Sequence, residues 1–263
     1  MVKGIRKVNL TSATVHNENT SPKGFCSDEQ HAMVHAPIAI EKALKIPEAR
    51  KAMDKEWDKL DVLSAFNYDS VQEKWVVQGW CKSDGVIRHF ANVMPLCHKK
   101  NAQLSEKHWV YKGRVVLRGD QIKDEDGYWA VFSEQGTSAS SIASMKFLNA
   151  IAMAPGNDGE NSDAKSAYTQ INLGDDIPET WVTLPYNRWP KSWKGKYTNP
   201  VVKSDRKLYG HPLAGLLWDK YSANILKECG FVPVPGWECL HVNYEKKLFM
   251  SLYVDDSKMA GCK

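Results

Sequence analysis

The stretch 248-LFMSLYVDDSKMAG-261 runs from apolar residues into two adjacent aspartates and back to small and apolar residues. Carboxylates are among the side chains least often fully buried, so Asp255 and Asp256 at the end of a core-like strand need a reason. One reason is a hairpin turn, which favours Asp for its local hydrogen bonds, although a two-residue hairpin usually reads Asp-Gly and no Gly follows here. The other is metal ligation at a bend. If 249–254 and 257–261 are the arms of a hairpin, both aspartates sit at its tip. Asp163 lies in 161-NSDAKSAYTQI-171, just after a helix breaker at Pro155-Gly156, where a strand can begin. Two Asp-bearing strand ends brought together in one sheet repel each other unless a cation lies between them. Hard divalent ions such as Mg²⁺ take oxygen ligands and usually use a few carboxylates plus substrate phosphates, the arrangement of two-metal phosphoryl and nucleotidyl transfer. Spacing alone does not bring Asp163 to Asp255.

Outward from that stretch, the chain reads as mixed α+β. Residues 1–36 are polar and without a sustained period, as in a leader or linker. From Pro47, Ala49, Met53, Trp57 and Leu60 recur at helical spacing, with Pro in the first turn. Trp75–Trp80 and Trp109–Leu117 read as β pieces, 140–154 as a helix stopped by Pro155-Gly156, and 178–200 as irregular and partly extended. A helix fits 212–230, opened by Pro212 and closed by Gly230, and 238–261 reads as strand, turn, strand, turn. The last strand is still running at Lys263, which suggests a truncated fragment.

With 43% hydrophobic and 25% charged residues the composition is that of an ordinary globular protein, and a net charge of +4 does not by itself announce a nucleic-acid binder. Distribution says more. Lys99, Lys100, Lys107, Lys112, Arg114 and Arg118 form one basic stretch; Arg188, Lys191, Lys194, Lys196, Lys203, Arg206 and Lys207 form another, and solvated faces are the plain alternative for both. The six cysteines form no CxxC pair, which favours reduced thiols and an intracellular setting, and Cys239 with His241 falls short of a four-ligand zinc site. No apolar run approaches the ~20 residues of a membrane span, and no signal-peptide order opens the chain.

Tyr253-Val254-Asp255-Asp256 resembles the YxDD box of reverse transcriptases. Further boxes follow the order of copia-type retrotransposon polymerases. The segment 49-ARKAMDKEWDKL-60 resembles their EAM-x-x-EW-x-x-L opening, and 112-KGRVVLRG-119 their KARLV-x-KG strand. Asp163-Ala-Lys-Ser-Ala-Tyr168 resembles D-x-K-x-A-[FY], and Leu208-Tyr209-Gly210 followed by Trp218 resembles LYG-x7-W. The resemblance covers roughly 47–263 and implies the fingers and palm of a right-hand polymerase, the palm an antiparallel sheet backed by helices and the thumb absent. It implies a division into a leader (1–40), fingers (41–140), palm (141–170), fingers (171–207) and palm (208–263). It further implies RNA-directed DNA synthesis from dNTPs on an RNA or DNA template with a DNA primer, within a polyprotein that also holds integrase and ribonuclease H.

By the same resemblance, Asp163 and Asp255 carry two Mg²⁺ ions, for which Mn²⁺ substitutes, and Asp256 supports the catalytic site. Tyr168 screens against a ribose 2′-hydroxyl, with a core aromatic as its plain alternative. Lys112 and Arg114 hold the triphosphate with Arg118 beside them, and Lys194, Lys196, Lys203 and Tyr253 lie along the nucleic acid.

There are departures. Leu213 stands where many members have Gln, and Asn161-Ser162 are more polar than the usual apolar pair, which weakens the expected strand. Residues 75–108 match poorly and read as a fingers insertion. Two rivals follow: a decayed or truncated copy that binds nucleic acid without catalysis, and a metal-dependent nuclease with Lys258 as its nearest candidate base.

Overall fold

A computed structural model describes residues 34–132, 139–171 and 178–263. In chain order the elements are β1 (His35–Ile38), α1 (Ile40–Ala43), α2 (Pro47–Val62), β2 (Phe66–Glu73), α3 (Lys74–Asp84), β3 (Arg88–Lys100) and β4 (Val110–Leu117). After these come α4 (Ile142–Ala152), β5 (Asn157–Asp163), β6 (Glu179–Thr183), β7 (Pro200–Ser204) and α5 (Ala214–Glu228). The chain closes with β8 (Val232–Pro233), β9 (Leu240–Asn243), β10 (Leu248–Tyr253) and β11 (Asp256–Cys262). None of the described helices is long and apolar enough to cross a membrane.

The described residues fall into two compact units. One gathers 139–167 and 215–263, the other 34–132, 168–171 and 178–214. In the second unit the strands run β1-β3-β6-β7-β2, with β4 also paired to β3. α2 buries the stripe foreseen from spacing, Ala49, Met53, Trp57 and Leu60. It lies so close to β4 that a Cβ on Gly113 would collide with the Ala52 carbonyl and Met53 Cα. Trp57, Leu60, Phe66, Val115, Leu117, Val182 and Leu208 share one core.

In the first unit the sheet is β5-β11-β10-β9-β8, antiparallel throughout, with α4 packed on β5, β10 and β11. Leu148, Leu240 and Ala260 bury against Phe147, Ile151 and Phe249, while Leu226, Phe231 and Leu252 form a neighbouring cluster.

Three sequence expectations are corrected. Trp75–Trp80 is part of a helix, not a strand: Val77 and Cys81, four apart, are buried, and Gly85 at φ +69 caps the end in the left-handed region. The exposed Trp75 mimicked a β-rich run. Segment 75–108 is not peripheral to the fold. β3 is the long central strand, pairing with β6 through Arg88–Asn92, with β1 through Cys97–Lys100 and with β4 through Val93–Lys100. The leader also ends early, because His35–Ile38 is a strand paired to β3; the rest of it, through residue 33, lies outside the described residues.

Candidate functional site

Asp163 is the last residue of β5, and its register partner on β11 is Asp256. Directly opposed residues of an antiparallel pair lie about 4.5–5.5 Å apart and project from the same face. Asp256 in turn pairs with Tyr253 across the β10–β11 hairpin, whose loop is only Val254 and Asp255. The Ala164 amide donates to the Asp255 carbonyl at 2.6 Å, which knits the backbone just after Asp163 to the loop. Three carboxylates are thereby gathered by main-chain pairing at one end of one sheet. Asp163 and Asp256 are exposed and Asp255 is partly so. The core-like strand delivers the acids to the sheet end without burying them.

Burial, and then the charges of Asp255 and Asp163, push the Asp256 carboxyl above the ordinary carboxylate range. Among the described residues no group of three His, Cys, Asp or Glu side chains converges as a metal cluster. An open pair of carboxylates nevertheless suits Mg²⁺, which is usually held by one or two carboxylates plus substrate phosphates instead of a closed protein cage. The donor chemistry fits a divalent ion; the side chains are not preset around one.

The polar pair that seemed to weaken this strand is accounted for. Ser162 faces Ser257 across β5–β11, and their hydroxyls hydrogen-bond to each other. On the other side of the hairpin, Tyr253 ends β10 half exposed, with a bridge to Ala139.

In the second unit the burial of β4 alternates, with Gly113, Val115 and Leu117 inward, so Lys112 and Arg114 share the opposite face. Arg114 has its guanidinium 5.6 Å from the Tyr209 ring centroid and 3.9 Å from a Glu56 oxygen. The Tyr209 ring lies 4.8 Å from that of Tyr168, which occupies a short 3-10 turn over Ala167–Gln170. Arg114, Tyr209 and Tyr168 therefore form one continuous contact chain. Tyr209, which links the other two, was not singled out from sequence beyond its place in Leu208-Tyr209-Gly210. Gly210 explains the glycine of that box: at φ +91, a Cβ there would overlap the Leu117 carbonyl, while Leu117 N–H donates to the Tyr209 carbonyl. Arg118, just past β4, is paired with Asp120 at 3.0 Å.

The second basic stretch is not one solvated face. Lys194 and Lys196 are exposed, each with its ammonium 5.1 Å from the centroid of a ring, Tyr186 and Tyr197. Lys203 is held by Glu179 at 2.7 Å, and Arg206 donates to the carbonyls of Leu63 and Gln170. Lys207 is only 1% exposed. Leu213 N–H donates to His211 Nδ1 at 3.1 Å, which places the neutral ring's proton on Nε2. The other ring nitrogen, Nε2, lies 3.5 Å from Lys207 Nζ. Burial accordingly pulls the Lys207 pKa down to about 7, and that of His211 to about 3.

Against known families, the model described as reverse transcriptase (RNA-dependent DNA polymerase) matches residues 85–263, about two thirds of the chain. The match takes in β3, which the sequence reading had set aside, together with every element that carries the three carboxylates.

Proposed function

The chain belongs to the reverse transcriptase family, and from that premise we propose that it is a copia-type RNA-directed DNA polymerase acting by two-metal nucleotidyl transfer. The observation that carries the reading is the register of Asp163 on Asp256, with Asp255 tied by its carbonyl to Ala164. The family generally uses divalent metal ions, and Asp163 and Asp255 would hold them here. When bound, two such ions lower the pKa of the primer 3′-hydroxyl and neutralise the departing pyrophosphate. In this reading 141–170 and 208–263 supply the palm, and 41–140 and 171–207 the fingers.

The remaining roles belong to the protein's own groups. Asp256 sits between the two ligands in register and sets the negative potential of the sheet end. Arg114 binds the incoming triphosphate with a bidentate fork and Lys112 with a mobile point charge. Tyr209 fixes the Arg114 plane from one side and the Tyr168 ring from the other. Tyr168 then presents a flat wall that accepts a deoxyribose and clashes with a 2′-hydroxyl. Lys194 and Lys196 grip the template backbone, and their tyrosines become stacking faces for unpaired bases once the lysines turn to phosphate. Tyr253 lies on the primer side, and Arg118 exchanges Asp120 for phosphate.

The reading is tested by incorporation of a labelled deoxynucleotide on an RNA template with a DNA primer, in Mg²⁺ and in Mn²⁺. Incorporation that disappears in both Asp163→Asn and Asp255→Asn supports it. Incorporation that survives both substitutions removes these carboxylates from the mechanism. Nucleic-acid binding without incorporation by the unaltered chain would favour a catalytically silent copy.

A further inference from the structure

The loop that carries Asp255 adopts a conformation that its own sequence disfavours. Val254 has φ +57, in the left-handed region, where a β-branched residue is an outlier. It occupies the first position of a two-residue hairpin loop, a place where positive φ normally calls for Gly. Such a backbone persists only where its surroundings over-determine it, and residues of this kind cluster at functional sites.

The surroundings can be named. Ser140 N–H donates to the Leu252 carbonyl at 2.9 Å, and Ala164 N–H to the Asp255 carbonyl. Both of those are main-chain bonds. The Val254 carbonyl itself accepts from a side chain, the indole N–H of Trp218. Trp218 lies in the first half of α5, 5% exposed, with its ring 5.8 Å from that of Tyr221. Burial alone does not provide an acceptor for an indole in this protein: Trp57 is 3% exposed and its N–H has no partner among the described residues. The acceptor of Trp218 is the residue whose geometry needs support.

We propose that Trp218 is a positioning residue, whose indole hydrogen bond holds the Val254–Asp255 loop in its left-handed form and so sets Asp255 beside Asp163. What the carboxylates then do rests on the reading under Proposed function; the tether does not. With the bond gone, Val254 relaxes toward an ordinary φ, and because the loop has only two residues the change passes directly to Asp255. Glycine at 254 adopts positive φ freely, so a loop with glycine there does not need the tether.

The test uses Trp218→Phe, Val254→Gly and the double variant, with three readouts: amide exchange across 252–257, the Mn²⁺ concentration at half-saturation, and steady-state incorporation. Trp218→Phe is expected to speed exchange across the loop, weaken Mn²⁺ binding several-fold and lower kcat about tenfold, with KM for the deoxynucleotide nearly unchanged, as a small misplacement of a reacting group would. The double variant recovers most of each loss. A role in core packing alone would leave the losses of the two substitutions additive, with no recovery, and would overturn the proposal. If Trp218→Phe fails to fold, benzothienylalanine at 218 keeps the bicyclic shape and deletes only the N–H. Unchanged loop exchange with that isostere also overturns the proposal. An unaltered chain that incorporates nothing would sink the polymerase reading, while exchange and Mn²⁺ binding would still decide the tether.

Discussion

In the unit of residues 139–167 and 215–263, three carboxylates stand together at a solvent-reachable sheet end, where partial burial and then the charges of Asp255 and Asp163 raise the pKa of Asp256. In the other unit Lys207 is almost fully buried beside His89 and His211, and burial lowers the pKa of all three, that of Lys207 to about 7. Both places concentrate groups that favour charge. The buried one settles the conflict internally by losing charge, as desolvation dictates. The exposed one leaves it standing, with backbone pairing fixing the acids in place. Charge conflict relieved inside the fold is architecture; charge conflict held open to solvent, where something positive can enter, is a site.

The comparison can be broken in three ways. The largest effect is expected from Asp255→Asn, which should lower Mg²⁺-dependent incorporation by at least about a hundredfold, since outer-shell partners alone are typically worth 10–100-fold. Melting of the variant should stay close to that of the parent, because Asp255 lies in a partly exposed loop and is not among the buried core residues. A variant that loses activity only by unfolding would erase the contrast.

The second concerns Lys207. Its folded pKa of about 7 lies below the ordinary 10.5, so folding releases a proton. The destabilisation is therefore complete below pH 7 and is relieved as pH rises from about 7 toward 10.5. Lys207→Met should stabilise the chain by about 1–3 kcal/mol at pH 7, by analogy with apolar replacement of buried charges. It should also remove that part of the alkaline rise, as followed by urea unfolding across pH. A destabilised Lys207→Met variant would mean that the amine makes an interaction its neighbours do not reveal.

The smallest effect should come from Asp256→Asn in metal-free protein. With its folded pKa raised, the Asp256 carboxyl favours the fold when protonated and opposes it as pH climbs through the carboxylate range. Removing the charge should raise the melting temperature slightly at pH 7, less so near pH 4, and reduce the further rise produced by added Mg²⁺.

Much of the site was legible because it is written in local sequence. The apolar run into Asp255 and Asp256 fixed a hairpin to within a residue, and the box beginning at Asp163 marked a second strand end. The strand behind Asp163 could not be read from hydrophobic pattern: Asn157–Asp163 is polar and mostly exposed, and it is a strand because β11 pairs with it and α4 covers it. The same holds for β3, whose role as central strand comes from three partners distant in sequence. Lys207 escaped for the opposite reason. It closes a run of lysines and arginines that resemble one another in sequence, while its burial comes from the fold, and His89, which feels its charge, lies more than a hundred positions earlier. Trp75 and Trp80 misled because aromatic residues enrich strands, whereas the pair that decided the element was Val77 and Cys81.

The most direct measurement is Mn²⁺ binding by the intact chain, followed by paramagnetic resonance, for the parent, Asp163→Asn, Asp255→Asn and Lys203→Gln. The account expects the parent to bind Mn²⁺, both aspartate variants to lose at least about tenfold in affinity, and Lys203→Gln to match the parent. Equal affinity in all four proteins would place the ion elsewhere and contradict the assignment of the sheet end as the metal-dependent centre.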